Sequence, residues 1–145
     1  MSMQEINPAG AKELLDQDWV LVDVRSPQEY AGGHVPGAYN VPIAFRGPMG
    51  MQLNEGFVGA IQRHFASDAK LVLMCAAGVR SQHACRFLEA EGFEALTNML
   101  GGMDGGQDAS GAGYEPGWAQ AGLPVTREAE PGRSWEELAG GGAES

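Results

Sequence analysis

Cys75 closes an apolar run, Leu71-Val72-Leu73-Met74, and opens the segment Cys75-Ala76-Ala77-Gly78-Val79-Arg80-Ser81. An apolar run entered from the polar Lys70 reads as a buried strand. Helical spacing resumes after Ser81, so the thiol sits on a short turn between a strand end and a helix start. Amide groups of such a turn point inward, and the helix N-terminus adds partial positive charge. A thiolate is stabilised there and can act as a nucleophile. Arg80, five residues on, supplies a charge suited to holding an anionic substrate. Cys85 reads differently. It lies four positions after Ser81 and three before Leu88, on the packing face of the helix, where cysteine is ordinary apolar filler.

The elements that position this turn follow from the flanking pattern. Asn7-Pro8 is a helix cap followed by proline at the first helical position, with the helix running to about Leu15. Strands are expected over 19–24, 39–43, 70–74 and 95–100. Pro27 to Ala31 is a helical turn, and Ser81 to Glu91 is a helix stopped by Gly92. Asn54 is expected to cap a helix carrying Phe57, Ile61 and Phe65 inward. Residues 45–53 and 101–117 read as loops rich in glycine. Strands alternating with helices imply an α/β fold, its parallel sheet covered on both faces. Ligands of such sheets bind beyond the carboxyl ends of the strands, and Cys75 lies at one.

Composition narrows the function. The chain has 145 residues, enough for one domain with a proper core. A net charge of −10 with nine basic residues argues against nucleic acid and against an anionic membrane surface. A small anion must therefore be held locally, by loop amides and one or two arginines. Two cysteines ten apart make neither a disulfide framework nor a zinc pattern, and the three histidines lack metal-ligand spacing. No basic, apolar leader is visible near Met1 and no run reaches transmembrane length, so the cytosol is the expected compartment.

Longer motifs then carry a resemblance. The segment from Leu21-Val22-Asp23-Val24-Arg25 to Glu29-Tyr30, followed by Gly33-His34-Val35-Pro36-Gly37-Ala38-Tyr39-Asn40-Val41-Pro42, resembles the rhodanese family of sulfurtransferases. So do the turn from Cys75 to Arg80, the segment Asn98-Met99-Leu100-Gly101-Gly102, and Gly117-Trp118 with Ala121-Gly122-Leu123-Pro124. The resemblance implies one rhodanese-like domain over 1–126, with a central, mostly parallel five-stranded sheet and helices on both faces. A polar, acidic, Gly-rich tail over 127–145 is expected to be disordered at its end, with Trp135 and Leu138 docking one turn. It also implies a thiosulfate sulfurtransferase. Cys75 is then the nucleophile that becomes a persulfide, and a thiol or cyanide is the acceptor. Ala76, Ala77, Gly78, Val79 and Arg80 form the substrate cradle, with Arg80 on the sulfonate. No metal or organic cofactor is required. A protein sulfur acceptor is the second reading, in which the chain is a persulfide carrier. A Cys-based phosphatase or arsenate reductase ranks below both. Such enzymes need five residues between Cys and Arg, and here there are four.

The remaining motif residues read as structural. Asp23 and Arg25 form a pair that ties down loops, with Glu29 as a further tether for Arg25. His34 makes structural hydrogen bonds, and His64 and His83 are solvated. Arg46 is either a second anion contact or plain surface. Met49, Met51, Met99 and Met103 either line the pocket or pack. The stretch Met103 to Pro116 interrupts the usual spacing from Gly-Gly to Trp, which leaves the placement of Trp118 open.

Overall fold

The computed structural model of the chain describes residues 4–143. Five parallel strands form its sheet in the order β1 (Gln4–Ile6), β7 (Ala95–Met99), β6 (Lys70–Met74), β2 (Val20–Asp23), β3 (Tyr39–Asn40). Four of these strands match the expected positions. The fifth, β1, is a three-residue edge strand that pairs Gln4 with Thr97 and Ile6 with Met99. It is too short for its alternation to show in sequence.

The central strand β6 feeds both faces. Leu71 and Leu73 pack with Phe57, Ile61, Ala84 and Leu88, from helices α3 (Phe57–His64) and α4 (Val79–Ala90). Val72 and Met74 point the other way, onto Ala11, Tyr30, Met99 and Trp118. Those residues bring in α1 (Pro8–Leu15) and α2 (Pro27–Ala31). Side chains alternate across a strand. Cys75 therefore continues the Leu71 and Leu73 row and faces α4.

Local signals explain the helix starts. The Asn7 side chain accepts the Gly10 amide at 2.9 Å, with proline next, as expected. Ser26 and Glu29 close a capping box on α2. Asn54 does not cap α3. Its Oδ1 accepts from Gly56 N at 2.9 Å and its Nδ2 donates to Pro42 O at 2.8 Å, so the helix begins two residues later, from Gly56.

Both glycine-rich stretches hold hairpins rather than loops. Residues 45–53 fall in β4 (Ala44–Gly47) and β5 (Gly50–Leu53), with Phe45 opposite Gln52. Met, Gly and Gln carry little strand signal of their own; cross-strand pairing supplies the order. In the second stretch, β8 (Gly106–Gln107) pairs with β9 (Tyr114–Glu115). Asp108 Oδ1 fixes the turn by accepting from Ser110 N, Ser110 Oγ and Gly113 N. The two ends of the insertion meet, which places Trp118 in the core. Trp118 N donates to Gly102 O at 2.8 Å, and the indole is buried with Met74 and Met99.

The C-terminal segment lies against the domain. Thr126 and His34 exchange backbone hydrogen bonds at 2.8 Å, and Arg133 O accepts from Asn40 N. Trp135 and Leu138 dock into the α3 side of the core, on helix α5 (Trp135–Ala143). That helix runs through Gly140 to Ala143, beyond the single turn expected; Glu144 and Ser145 lie outside the described residues.

Candidate active site

The turn after β6 brings a buried sulfur under a helix start. Gly78 takes φ +98°, a left-handed conformation that suits glycine, and this turns the chain back over Cys75. Its amide then donates to Cys75 Sγ at 3.1 Å. Helix α4 has no side-chain cap. Its third amide, from Ser81, donates to the same Sγ at 3.3 Å. The sulfur thus occupies the place of a capping oxygen, inside the positive end of the helix. Cys75 is only 1% exposed, so few waters compete for these donors.

A side-chain relay stands behind the sulfur. Ser81 Oγ lies 3.4 Å from Cys75 Sγ and donates to Asn98 Oδ1 at 2.5 Å. Asn98 is held in that orientation because its Nδ2 donates to Gly78 O at 3.3 Å and to Glu5 Oε2 at 3.2 Å. With the hydroxyl proton committed to Asn98, a protonated Cys75 donates to Ser81 Oγ. A charged sulfur requires the hydroxyl to rotate toward it.

Arg80 does not point to an open anion site. Nη1 donates to Glu29 Oε1 at 2.9 Å and Nη2 to Glu29 Oε2 at 3.1 Å, a bidentate pair. Burial opposes ionisation of Glu29, but the Arg80 contact and the Ser26 amide outweigh it and hold the carboxyl at about 2. The Glu29 bond in turn raises Arg80. This corrects the expected tether to Arg25. Arg25 instead binds Asp23, with Nη2 at 2.7 Å from Oδ2, and its Nη2 also donates to Gly33 O. The Asp23–Arg25 pair is structural, as expected, and buried. His34 is structural too. It stacks on Tyr30 and contacts Tyr30 O and Glu130.

The far side of the turn is backbone. Met103 N donates to Cys75 O at 2.9 Å and Asp104 N to Ala76 O at 2.8 Å. A Cβ on Gly102 would sit 2.3 Å from Cys75 O, and one on Gly106 2.2 Å from Ala77 O. The glycines let the second hairpin lie directly on the turn. A cavity of about 430 Å³ opens there, between Gly78, Val79 and the 107–111 turn. Another of about 540 Å³ is bounded by Arg80, Gly47, Gly50 and Met51. A larger cavity, about 700 Å³, lies between α2 and the C-terminal segment and shares no residue with the turn. Chemistry, not volume, locates this site.

Of the amides expected to line the cradle, that of Gly78 reaches the sulfur. Ala76 O accepts from Asp104 N, Ala77 O lies against Gly106, and Val79 is 59% exposed at the rim. Ser81, Asn98 and Glu29 complete the site and were not legible as site residues. Met99 and Met103 pack in the core, and Met51 borders the Arg80 cavity. The Arg46 side chain lies outside the described residues. Cys85 is buried, with no hydrogen bond to its sulfur among the described residues, and burial pushes its thiol up to about 12.

A parallel five-stranded sheet with a buried cysteine in an amide-lined turn at a strand's carboxyl end defines a fold class, and the comparisons agree. A profile of the rhodanese-like domain matches residues 7–109, and the chain belongs to that family. It is 33% identical over 115 residues to thiosulfate sulfurtransferase 16, chloroplastic, of Arabidopsis thaliana, covering 79% of this chain and 86% of that one. It is 37% identical over 94 residues to rhodanese-like domain-containing protein 17 of the same plant. That match covers 63% of this chain and spans 60% of the plant protein's length. The crystal structure of Rv0390 from M. tuberculosis superposes with a TM-score of 0.72 at 26% identity, covering 88% of this chain and all of that one.

Proposed function

We propose that the protein is a sulfurtransferase that carries sulfane sulfur on Cys75, with thiosulfate or a similar anion as donor. The observation that carries this reading is the Sγ position, 3.1 and 3.3 Å from two amide donors. Those donors stabilise a sulfur that bears negative charge, as thiolate or as persulfide. Cys75 thiolate attacks the outer sulfur of thiosulfate. The new S–S bond forms as the old one breaks, and sulfite leaves with the electron pair. A thiolate or cyanide then attacks the terminal sulfur, and the Cys75 thiolate is released with its electron pair. The step needs no metal and no redox cofactor, because the donor brings the oxidised sulfur.

The test is intact-mass analysis after mixing with thiosulfate, coupled to cyanide-dependent thiocyanate formation. A gain of one sulfur on Cys75, discharged by cyanide, supports the proposal. An unmodified Cys75 overturns it.

A second reading, a persulfide carrier with a protein acceptor, has its own support. Arg80 is already occupied by Glu29, and Val79 and Met51 are exposed near the mouth, 59% and 47%. Exposed apolar side chains beside an already paired guanidinium suit a protein surface as well as a small dianion. No helix among the described residues is long and apolar enough to cross a membrane.

A further inference from the structure

We infer that Glu29 is a built-in competitor for the donor anion, so that the Arg80–Glu29 pair sets which donors the site accepts. The inference rests on the sulfurtransferase reading for its biological meaning, but its physical content is anion binding at Arg80. Three observations carry it.

First, both guanidinium donors that face α2 are used by one carboxylate, in the geometry an oxyanion would take. Second, Glu29 is held independently of Arg80. Its Oε1 accepts from Ser26 N at 3.0 Å and from Ser26 Oγ at 3.1 Å, and its own amide donates to Ser26 Oγ. The carboxylate therefore stays in place if Arg80 swings away. Third, the guanidinium has somewhere to go. Its side chain is 24% exposed, and it borders the cavity of about 540 Å³ under the first hairpin. The donor's oxygens would replace the Glu29 oxygens as acceptors, with Glu29 left on its Ser26 bonds.

The consequence is a cost that depends on donor charge. In a protein of net charge −10, displacing a fixed carboxylate leaves that charge beside the incoming anion. A dianion such as thiosulfate feels it about twice as strongly as a monoanion. Glu29 is thus a positioning residue that acts through Arg80 and discriminates against highly charged donors.

The test variant is Glu29→Gln, which keeps the amide oxygen for the capping box and removes the charge. Sulfate is the probe, because it has the charge of thiosulfate and does not transfer sulfur. The readout is the sulfate concentration that half-protects Cys75 from alkylation, at constant ionic strength. Relative to the unmodified chain, Glu29→Gln should lower that concentration about three- to tenfold. Arg80→Ala should abolish protection in both backgrounds. The KM for thiosulfate should fall with it, and that for methanethiosulfonate, a monoanion, should fall less. If Glu29 merely holds Arg80 in place, the variant raises the concentration instead; that result, or no change, overturns the inference. Tighter sulfate protection without persulfide formation would keep the inference and sink the sulfurtransferase reading. Persulfide formation with unchanged protection would do the reverse.

Discussion

Cys75 and Cys85 are equally buried, at 1% and 0% exposure, yet they sit in opposite kinds of interior. Cys85 lies on α4 among Ala84, Leu88 and the β6 row, with no hydrogen bond to its sulfur among the described residues. Burial, with the nearby Glu89 and Glu5 carboxylates adding to it, favours the neutral thiol. Cys75 lies ten residues earlier, on the same face of the sheet. There the chain turns, two amides converge on the sulfur, and a hydroxyl stands behind it. Accessible surface does not separate the two cysteines. What separates them is whether the backbone leaves its donors free to face the sulfur, and a strand-to-helix turn does so while a helix interior does not.

The sharpest break of this comparison is Cys75→Ser. It should remove persulfide formation and lower thiocyanate production by about three orders of magnitude or more. Steady-state assay and intact mass check both. Next is Arg80→Ala, expected to raise the KM for thiosulfate roughly tenfold, the value of one charge-assisted hydrogen bond. The discharge of preformed persulfide by cyanide should change little. Arg80→Lys should recover only part, since it keeps the charge and loses the fork. Single-turnover measurement of each half-reaction decides this, and an equal loss in both would make Arg80 a loop-shaping residue instead.

Ser81→Ala comes third. Its hydroxyl bonds Asn98 and lies 3.4 Å from Sγ, so that it must rotate to face a charged sulfur, and removing it should slow persulfide formation about two- to tenfold. Unaltered rates would mean the two amides suffice.

The smallest kinetic effect is that of Cys85→Ala, which should leave turnover within about twofold and cost about 1 kcal/mol of stability. Its signature is in pH. The folded thiol titrates near 12, above the ordinary value of 9.0. Its contribution to stability is therefore full below about 9 and is lost as pH rises toward about 12. Chemical denaturation across that window should show a shallower alkaline loss in the variant.

Much of this contrast was readable from the chain because it is local. The run from Lys70 to Met74, the glycine at 78 and the resumed helical spacing fix the turn within a dozen residues. The same holds for Asn7-Pro8 and for Pro27 to Ala31. What escaped is paired at a distance. Glu29 reaches Arg80 across 51 positions, and Asn98 reaches Ser81 across 17. Asp23 already offered Arg25 a nearer partner, so Glu29 was misassigned. The strands β1, β4, β5, β8 and β9 were missed for a related reason. They are two to four residues long, and their order comes from a partner strand rather than from their own alternation.

The close approach of Gly102 to the Cys75 carbonyl bears on how this fold can change over time. The stretch between Gly102 and Gly117 is pinched shut at its root, where Trp118 N meets Gly102 O and Ala119 N meets Met103 O. The tip of the hairpin over 108–113 is free to lengthen, since the entropy of a longer closed loop grows only slowly. The root tolerates no such freedom, because any side chain at 102 strikes the carbonyl of Cys75. Descendants of this chain can therefore try new walls for the mouth, one hairpin at a time, while the sulfur and its amides stay where they are.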